Sequence, residues 1–279
     1  IKAIRNDIAI YAVHTALDNH PEGVNKIFCD TLGLINTRIL IPKQNNIRKL
    51  VTYTIRDNAE KVREALFFSF SGSIGNYDKC SFNSEGTFTY QGNEKSEPTI
   101  GEKGVLSRGT ETKIEVVYAK HLEAGIIKAL RENHIYEEVA TEIYNMKNTF
   151  NHIGLGMIGE LEEEMNEHDF LAFAKEKMQA NGIRYSAFTG RKIKKVAVLG
   201  GSGSFAIKNA IQAGADVFLT ADLKYHQYYE AENQLLLADI GHSESERYTK
   251  EYIVDYLRKK IPNFAIILSE ENTNPVKYL

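Results

Sequence analysis

The chain has 279 residues, 43% apolar and 25% charged, with a formal net charge of -3. That length holds one large or two ordinary domains, and the near-neutral balance gives no global basic field for nucleic acid or anionic membranes. No apolar run reaches the roughly 18–20 residues that span a bilayer, and no signal peptide is visible. The only cysteines, Cys29 and Cys80, lie far apart with no CxxC, so a reduced, cytoplasmic protein is expected.

In chain order, Ile1 runs into Ile4, Ile8, Ile10, Tyr11 and Val13, a density of apolar residues that looks like the middle of a fold. A preceding N-terminal piece is therefore expected. Residues 7–13 read as a buried strand ending in the loop His14-Thr-Ala-Leu-Asp18. Residues 22–33 read as a helix stopped by Gly33. Pro42 and consecutive asparagines place a linker over 37–48. Then come a strand at 49–55, a helix at 58–70 and a Gly/Ser/Asn-rich segment from 71 to 109 with short strands such as 87–90. A strand at 113–119, a helix at 121–133 and a strand at 139–144 complete the order of a split βαβ, ferredoxin-like unit. The expected domains are 1–46 and 148–279, the two parts of an α/β domain, interrupted by an inserted ferredoxin-like domain at 47–147.

After the insert, helices are expected at 169–181, 205–214, 226–233 and 245–260, and strands at 183–188, 195–199, 216–220, 235–240 and 265–269. This alternation predicts a mostly parallel sheet with helices on both faces. Strand 235–240 empties into Gly241, His242, Glu244 and Glu246, and a helix starting near His242 sets His242 and Glu246 on one face, four residues apart. An imidazole and a carboxylate so placed can converge on a cation. The plainer alternative is that Ser243 caps the helix and the glutamates favour its positive end. For His14 and Asp18 the plainer alternative is loop and cap chemistry.

Gly201-Ser-Gly203-Ser-Phe-Ala206 follows a strand and precedes a helix, with Asp222 at the end of the next strand; this GxGxxA pattern fits a dinucleotide site or merely a tight packing turn. A metal site draws on more residues. Asp18, His242 and Glu246 are the ligand candidates, and His14 and His226 lie in similar strand-end loops. Such a cluster can hold a divalent ion and activate water. His121, His134, His152 and His168 are expected at the surface.

The ordered motifs resemble a known family. His14-Thr-Ala-Leu-Asp18, Gly-Val-Asn at 23–25, Gly-Gly-Ser-Gly-Ser at 200–204, Thr-Ala-Asp-Leu-Lys-Tyr-His at 220–226 and Asp-Ile-Gly-His-Ser-Glu-Ser-Glu at 239–246 are similar to those of the Nif-three-like, YbgI-type family of GTP cyclohydrolase I type 2 homologues. Gly-Asn-Tyr-Asp at 75–78 and Tyr-Glu-Glu-Val-Ala at 136–140 are similar to the PII/CutA-like insert of its longer members. The resemblance implies a two-domain protomer in a homohexameric ring with a dinuclear divalent-metal site (Zn, Mn or Fe). Asp18, His242 and Glu246 would be metal ligands, and His14 and His226 would line the pocket in catalytic roles. It also implies a metal-dependent hydrolase acting on a nucleotide-like small molecule. A non-enzymatic, ligand-sensing assembly and a dinucleotide-binding enzyme are the alternatives. The family's adjacent His-His pair does not occur here; either it belongs to a preceding piece or two ions cannot be held, and the early start favours the first.

Overall fold

The computed structural model describes the backbone throughout and every side chain except those of Phe150, Asn151 and His152. The surface expectation for His152 therefore lies outside the described residues. The chain divides into two compact units, Ile1–Lys43 with Asn151–Leu279, and Gln44–Phe150.

The first unit starts with α1 (Lys2–Arg5), α2 (Thr15–Asp18), α3 (Val24–Thr31) and β1 (Ile35–Lys43). The second contains β2 (Ile47–Thr54), α4 (Arg56–Phe68), β3 (Ser81–Gln91), β4 (Leu106–Ala119), α5 (Glu123–Asn133) and β5 (Thr141–Met146). The first resumes with β6 (Phe150–Asn166), α6 (Glu167–Lys177), β7 (Arg184–Tyr185), β8 (Lys192–Ser202), α7 (Ile207–Gln212), β9 (Val217–Ala221), β10 (Leu236–Asp239), α8 (His242–Glu246) and α9 (Thr249–Lys260).

The first unit's sheet has the order β1-β6-β8-β9-β10-β7. Its centre is built from runs that are apolar on both faces. Val196, Val198, Val217, Leu219, Leu236 and Ala238 pack with Phe28 of α3 and Phe170 of α6. Their neighbours Ala197, Leu199, Phe218 and Leu237 pack with Ile207 and Ala210 of α7. A sheet covered on both sides needs such continuous apolar strands, and every residue of β9 and β10 is buried.

The expected mostly parallel sheet is corrected to a mixed one. β8, β9 and β10 are parallel, but β6 runs antiparallel to β8 and β7 antiparallel to β10. Apolar patterning reports burial, not strand direction, so it could not separate these arrangements.

Three local expectations also fail. Residues 7–13 form no strand, and Ile10 and Tyr11 stand exposed. The expected linker at 37–48 contains the end of β1 and the start of β2; Pro42 is accommodated because β1 lies at the sheet edge, where a missing N–H breaks no ladder. Residues 265–269 form no strand, and Ile267 is exposed.

The second unit's sheet has the order β3-β4-β2-β5, with antiparallel pairings throughout. This is the split βαβ order. The segment read as a long Gly/Ser/Asn-rich connection is mostly the β3–β4 hairpin, in register from Ser81 opposite Val116 to Gln91 opposite Leu106. Leu50, Ile114 and Val116 on one face pack against Ala59, Val62 and Leu66 of α4 and Ile126 and Leu130 of α5. Among the described residues, both helices of this unit pack on that one face. His134 departs from the surface expectation: it is half-buried, with Nε2 3.0 Å from the Tyr53 carbonyl and Nδ1 accepting the Tyr136 N–H at 3.1 Å.

Candidate metal centre

Because β8, β9 and β10 are parallel, their carboxyl ends emerge along one edge. β8 ends at Ser202, just past a register shift at Gly200 and Gly201, β9 runs into a turn at Asp222, and β10 into one at Gly241, from which α8 starts at once. Ligand sites in open α/β sheets gather at such an edge. The buried carboxylate of Asp239 fixes two of these turns together. Its Oδ1 accepts the Gly241 N–H at 3.0 Å, and its Oδ2 accepts the Leu223 N–H at 2.9 Å and pairs with Arg184. Thus one side chain sets the backbone on either side of the site, just before His242 and just after Asp222.

α8 presents His242 and Glu246 as the four-residue spacing requires, with Nε2 3.5 Å from Glu246 Oε1. The other ring nitrogen, Nδ1, lies 2.7 Å from Asp222 Oδ2. A carboxylate beside one imidazole nitrogen keeps the proton there and leaves the other as a lone pair. Nε2 is therefore the free donor atom, and it faces Glu246. Ser243 does not cap α8: Gly241 occupies that position and no side-chain cap hydrogen bond forms. Ser245 instead accepts the Gly201 N–H at 2.9 Å and donates to the His242 carbonyl at 2.8 Å, tying α8 to the glycine segment.

Asp18 reaches the same neighbourhood through α2 and α3. Buried Asn25 donates to the Asp18 carbonyl at 3.0 Å and accepts the Gly200 N–H at 3.0 Å, so one amide bridges the end of α2 and the end of β8. Gly23 allows this close approach, since a Cβ there would lie 1.8 Å from the Leu17 carbonyl oxygen.

Burial pushes the carboxyls of Asp18 and Glu246 above their usual range, and the nearby charges of His14 and His242 pull both back. Desolvation works against the charged form of His242, but Asp222, Glu246 and Asp18 outweigh it and raise its pKa. Crowded, partly desolvated carboxylates around an imidazole are a set that a cation would relieve. The His242–Glu246 separation is close to the roughly 3.4 Å between donors of a tetrahedral ion with bonds near 2.1 Å. Even so, among the described residues no three of His, Cys, Asp and Glu close together as a ready ion cage. The pair fits an ion, and Asp18 would have to swing in as the third donor.

Beside this cluster a cleft of about 960 Å³ is lined by Arg184, Asp222, His242, Glu246, Arg247 and Tyr278 among others. His14 is exposed, with φ +42°, and belongs to the charge cluster but not to the cleft lining. His226 is not brought in. It sits exposed on the 3₁₀ turn Tyr225–Ala231, edge-on to Tyr225 at 5.2 Å. Asp222, Asp239 and Asn25 are the residues that sequence reasoning missed. All three lie inside quoted motifs, and Asp222 enters the sequence reading only as part of the dinucleotide pattern.

In the glycine segment, two amides are already engaged. The Gly200 and Gly201 amides are spent on Asn25 and Ser245, and the Gly201 carbonyl accepts from Thr220 at 3.2 Å. Asp222 points to His242.

A layered α/β unit with an acidic, imidazole-bearing strand edge, interrupted by a split βαβ unit, defines the class of protein. The chain belongs to the Duf34/NIF3 (NGG1p interacting factor 3) family, whose model matches residues 1–275. It is 38% identical over 284 residues to a Bacillus subtilis (strain 168) protein named GTP cyclohydrolase 1 type 2 homolog, covering 100% of this chain and 76% of the relative. A similarly named Halalkalibacterium halodurans protein is 35% identical over 283 residues, with the same coverage. Among solved structures, a Bacillus cereus protein related to NIF3 superposes with a TM-score of 0.84 at 38% identity, covering 100% of this chain and 76% of that one.

Proposed function

We propose that this protein holds a divalent metal ion at the Asp18, His242 and Glu246 cluster and is a hydrolase acting on a nucleotide-like small molecule. The observation that carries the reading is the imidazole of His242, whose Nδ1 is held by Asp222 and whose Nε2 faces Glu246. When bound, a divalent ion there supplies a polarised water. The chain's own residues do the rest. Asp222 fixes the tautomer and aim of His242, Asp18 and Glu246 supply anionic oxygens, and exposed His14 is placed to exchange protons with solvent. The donors described here account for one ion, and the family resemblance implies a second.

The inserted split βαβ unit supports a PII/CutA-like reading, and the same resemblance carries the proposal of a cytoplasmic homohexamer. No helix among the described residues is long and apolar enough to cross a membrane. A regulatory role is the second reading, favoured by a separate cleft in the insert.

Metal analysis of the purified protein tests the site. The wild type should retain at least one divalent ion per chain, and Asp18→Ala and His242→Ala should lose it. Full metal content in both variants would refute the assignment. Incubation with GTP and Mn²⁺ or Zn²⁺, followed by mass analysis of products, tests the chemistry. No turnover across a panel of nucleotides and phosphoesters would leave the regulatory reading in its place.

A further inference from the structure

The open face of the second unit's sheet carries a cleft of about 1060 Å³ that the proposed metal chemistry does not use. Its aromatic lining comes from Tyr53 on β2, Phe88 and Tyr90 on β3, and Tyr136 in the turn after α5. Phe88 and Tyr90 stack at 5.9 Å with planes 20° apart. Two glycines shape this face. A Cβ on Gly109 would lie 2.7 Å from the Phe88 ring, so Gly109 lets that ring lie flat on the sheet. Above Gly86, by contrast, nothing lies within 4 Å of where a Cβ would be, which leaves open space over the strand. The segment 93–99 is strapped beside the cleft: the Glu97 N–H donates to Glu137 at 2.7 Å, and the Thr99 hydroxyl to the Ile135 carbonyl at 3.1 Å.

The charged lining is mostly acidic. The Tyr53 hydroxyl donates to Glu142 at 2.9 Å, and burial, helped by the neighbouring Glu111, pushes the Tyr136 phenol above its usual range. The Tyr53 phenol has committed its proton, so what it offers a ligand is lone pairs. The donors of Ser96, Thr99 and Gln91 are likewise turned to carbonyls of the chain. Lys113 is held by Glu115, which also takes Lys49. Glu111, Glu137 and Glu138 remain as carboxylates, with Lys95 exposed among them. Neutral Ser84, Thr87, Thr89 and Asn93 also line the cleft, but its charged groups are mostly acidic, which disfavours an anion. A cation would find ring faces and oxygens, the combination that binds ammonium and guanidinium groups.

We propose that this cleft is a binding site for a small organic cation, an amine or guanidinium on an aliphatic body. The charged end would lie between the aromatic rings and Glu111, and the body over Gly86.

Titration calorimetry on the intact protein tests this with agmatine, choline and spermidine. A neutral alkylurea and ATP serve as the uncharged and anionic comparators. At least one cation should bind saturably, and more weakly as salt rises. Glu111→Gln keeps the size but removes the charge, and should weaken binding about ten-fold. Gly86→Leu fills the floor in a strand with room for it and should abolish binding. Asp18→Ala should leave binding intact, which separates this site from the metal cluster. The proposal is overturned if no cation binds, if ATP binds more tightly than every cation, if Asp18→Ala abolishes binding, or if binding survives Glu111→Gln unchanged. Should Gly86→Leu fail to fold by circular dichroism, Glu111→Gln and Phe88→Leu, each expected to weaken binding, decide the matter.

Discussion

The two units solve the problem of exposing polar chemistry in opposite ways. In the first, helices cover both sides of β8, β9 and β10, so no sheet face is free. Its reactive side chains are confined to strand ends, where turns must pass within hydrogen-bonding distance of one another. The result is a crowded edge in which Asn25, Ser245 and Asp239 each bind the backbone of another turn. In the second, helices cover one face only, and polar and aromatic residues spread over the other at strand periodicity. A site at a crowded edge should be sensitive to any added atom, whereas one on an open face should tolerate additions and respond mainly to charge.

The sharpest contrast comes from glycines. Gly201 has φ +69°, and a Cβ there would lie 2.7 Å from Glu246 Oε1 and 3.4 Å from His242 Nε2. Gly201→Val therefore adds left-handed backbone strain of about 1–2 kcal/mol and pushes directly on the two donors. Thermal or denaturant unfolding should show a loss of about 3 kcal/mol, and metal content should fall with it. Gly86→Leu in the insert should leave unfolding within about 0.5 kcal/mol of wild type. Equal effects of the two substitutions would erase the distinction between edge and open face.

A smaller effect is expected at Asp222, where the aim of His242 is set rather than its presence. Asp222→Asn keeps the size and can keep a hydrogen bond to Nδ1, but the amide no longer stabilises a proton there. Metal affinity should drop about 10–100-fold, the usual cost of losing such a supporting carboxylate, with the fold intact. Competition against a chromophoric chelator measures it. An unchanged affinity would mean that Asp222 merely occupies space beside the ring.

The same contrast explains what could be read from the chain. Periodicity located α3, α4, α5, β9 and β10, because each buries a regular stripe or run. It also paired His242 with Glu246, since both sit on one helix face. It failed where apolar residues are not buried, as at Ile10, Tyr11 and Ile267, and where Pro42 lies on an edge strand that tolerates it. Strand direction was invisible for β6 and β7. So were the roles of Asp239 and Asn25, whose partners are backbone amides of distant turns. No residue pattern announces which N–H a buried carboxylate or amide will meet.

The smallest prediction concerns pH, and it belongs to the insert. His134 is half-buried, and burial pushes its pKa below the usual imidazole range despite the favourable Tyr53 carbonyl. Its neutral form is also fixed by geometry: Nδ1 accepts from Tyr136, so protonation there would lose an acceptor. The unfolded chain binds this proton near the ordinary value of about 6.5, whereas the folded chain binds it only at lower pH. As pH falls through 6.5, the unfolded state therefore takes up more protons, and the insert loses stability until the folded imidazole also titrates. Melting followed by circular dichroism between pH 7.5 and 5.5 should show a decline that His134→Gln reduces. Glutamine can still donate to the Tyr53 carbonyl but carries no titrating proton, so the difference between the two slopes isolates this residue. Parallel slopes would show that His134 titrates alike in the folded and unfolded chains, as a histidine at the open surface would.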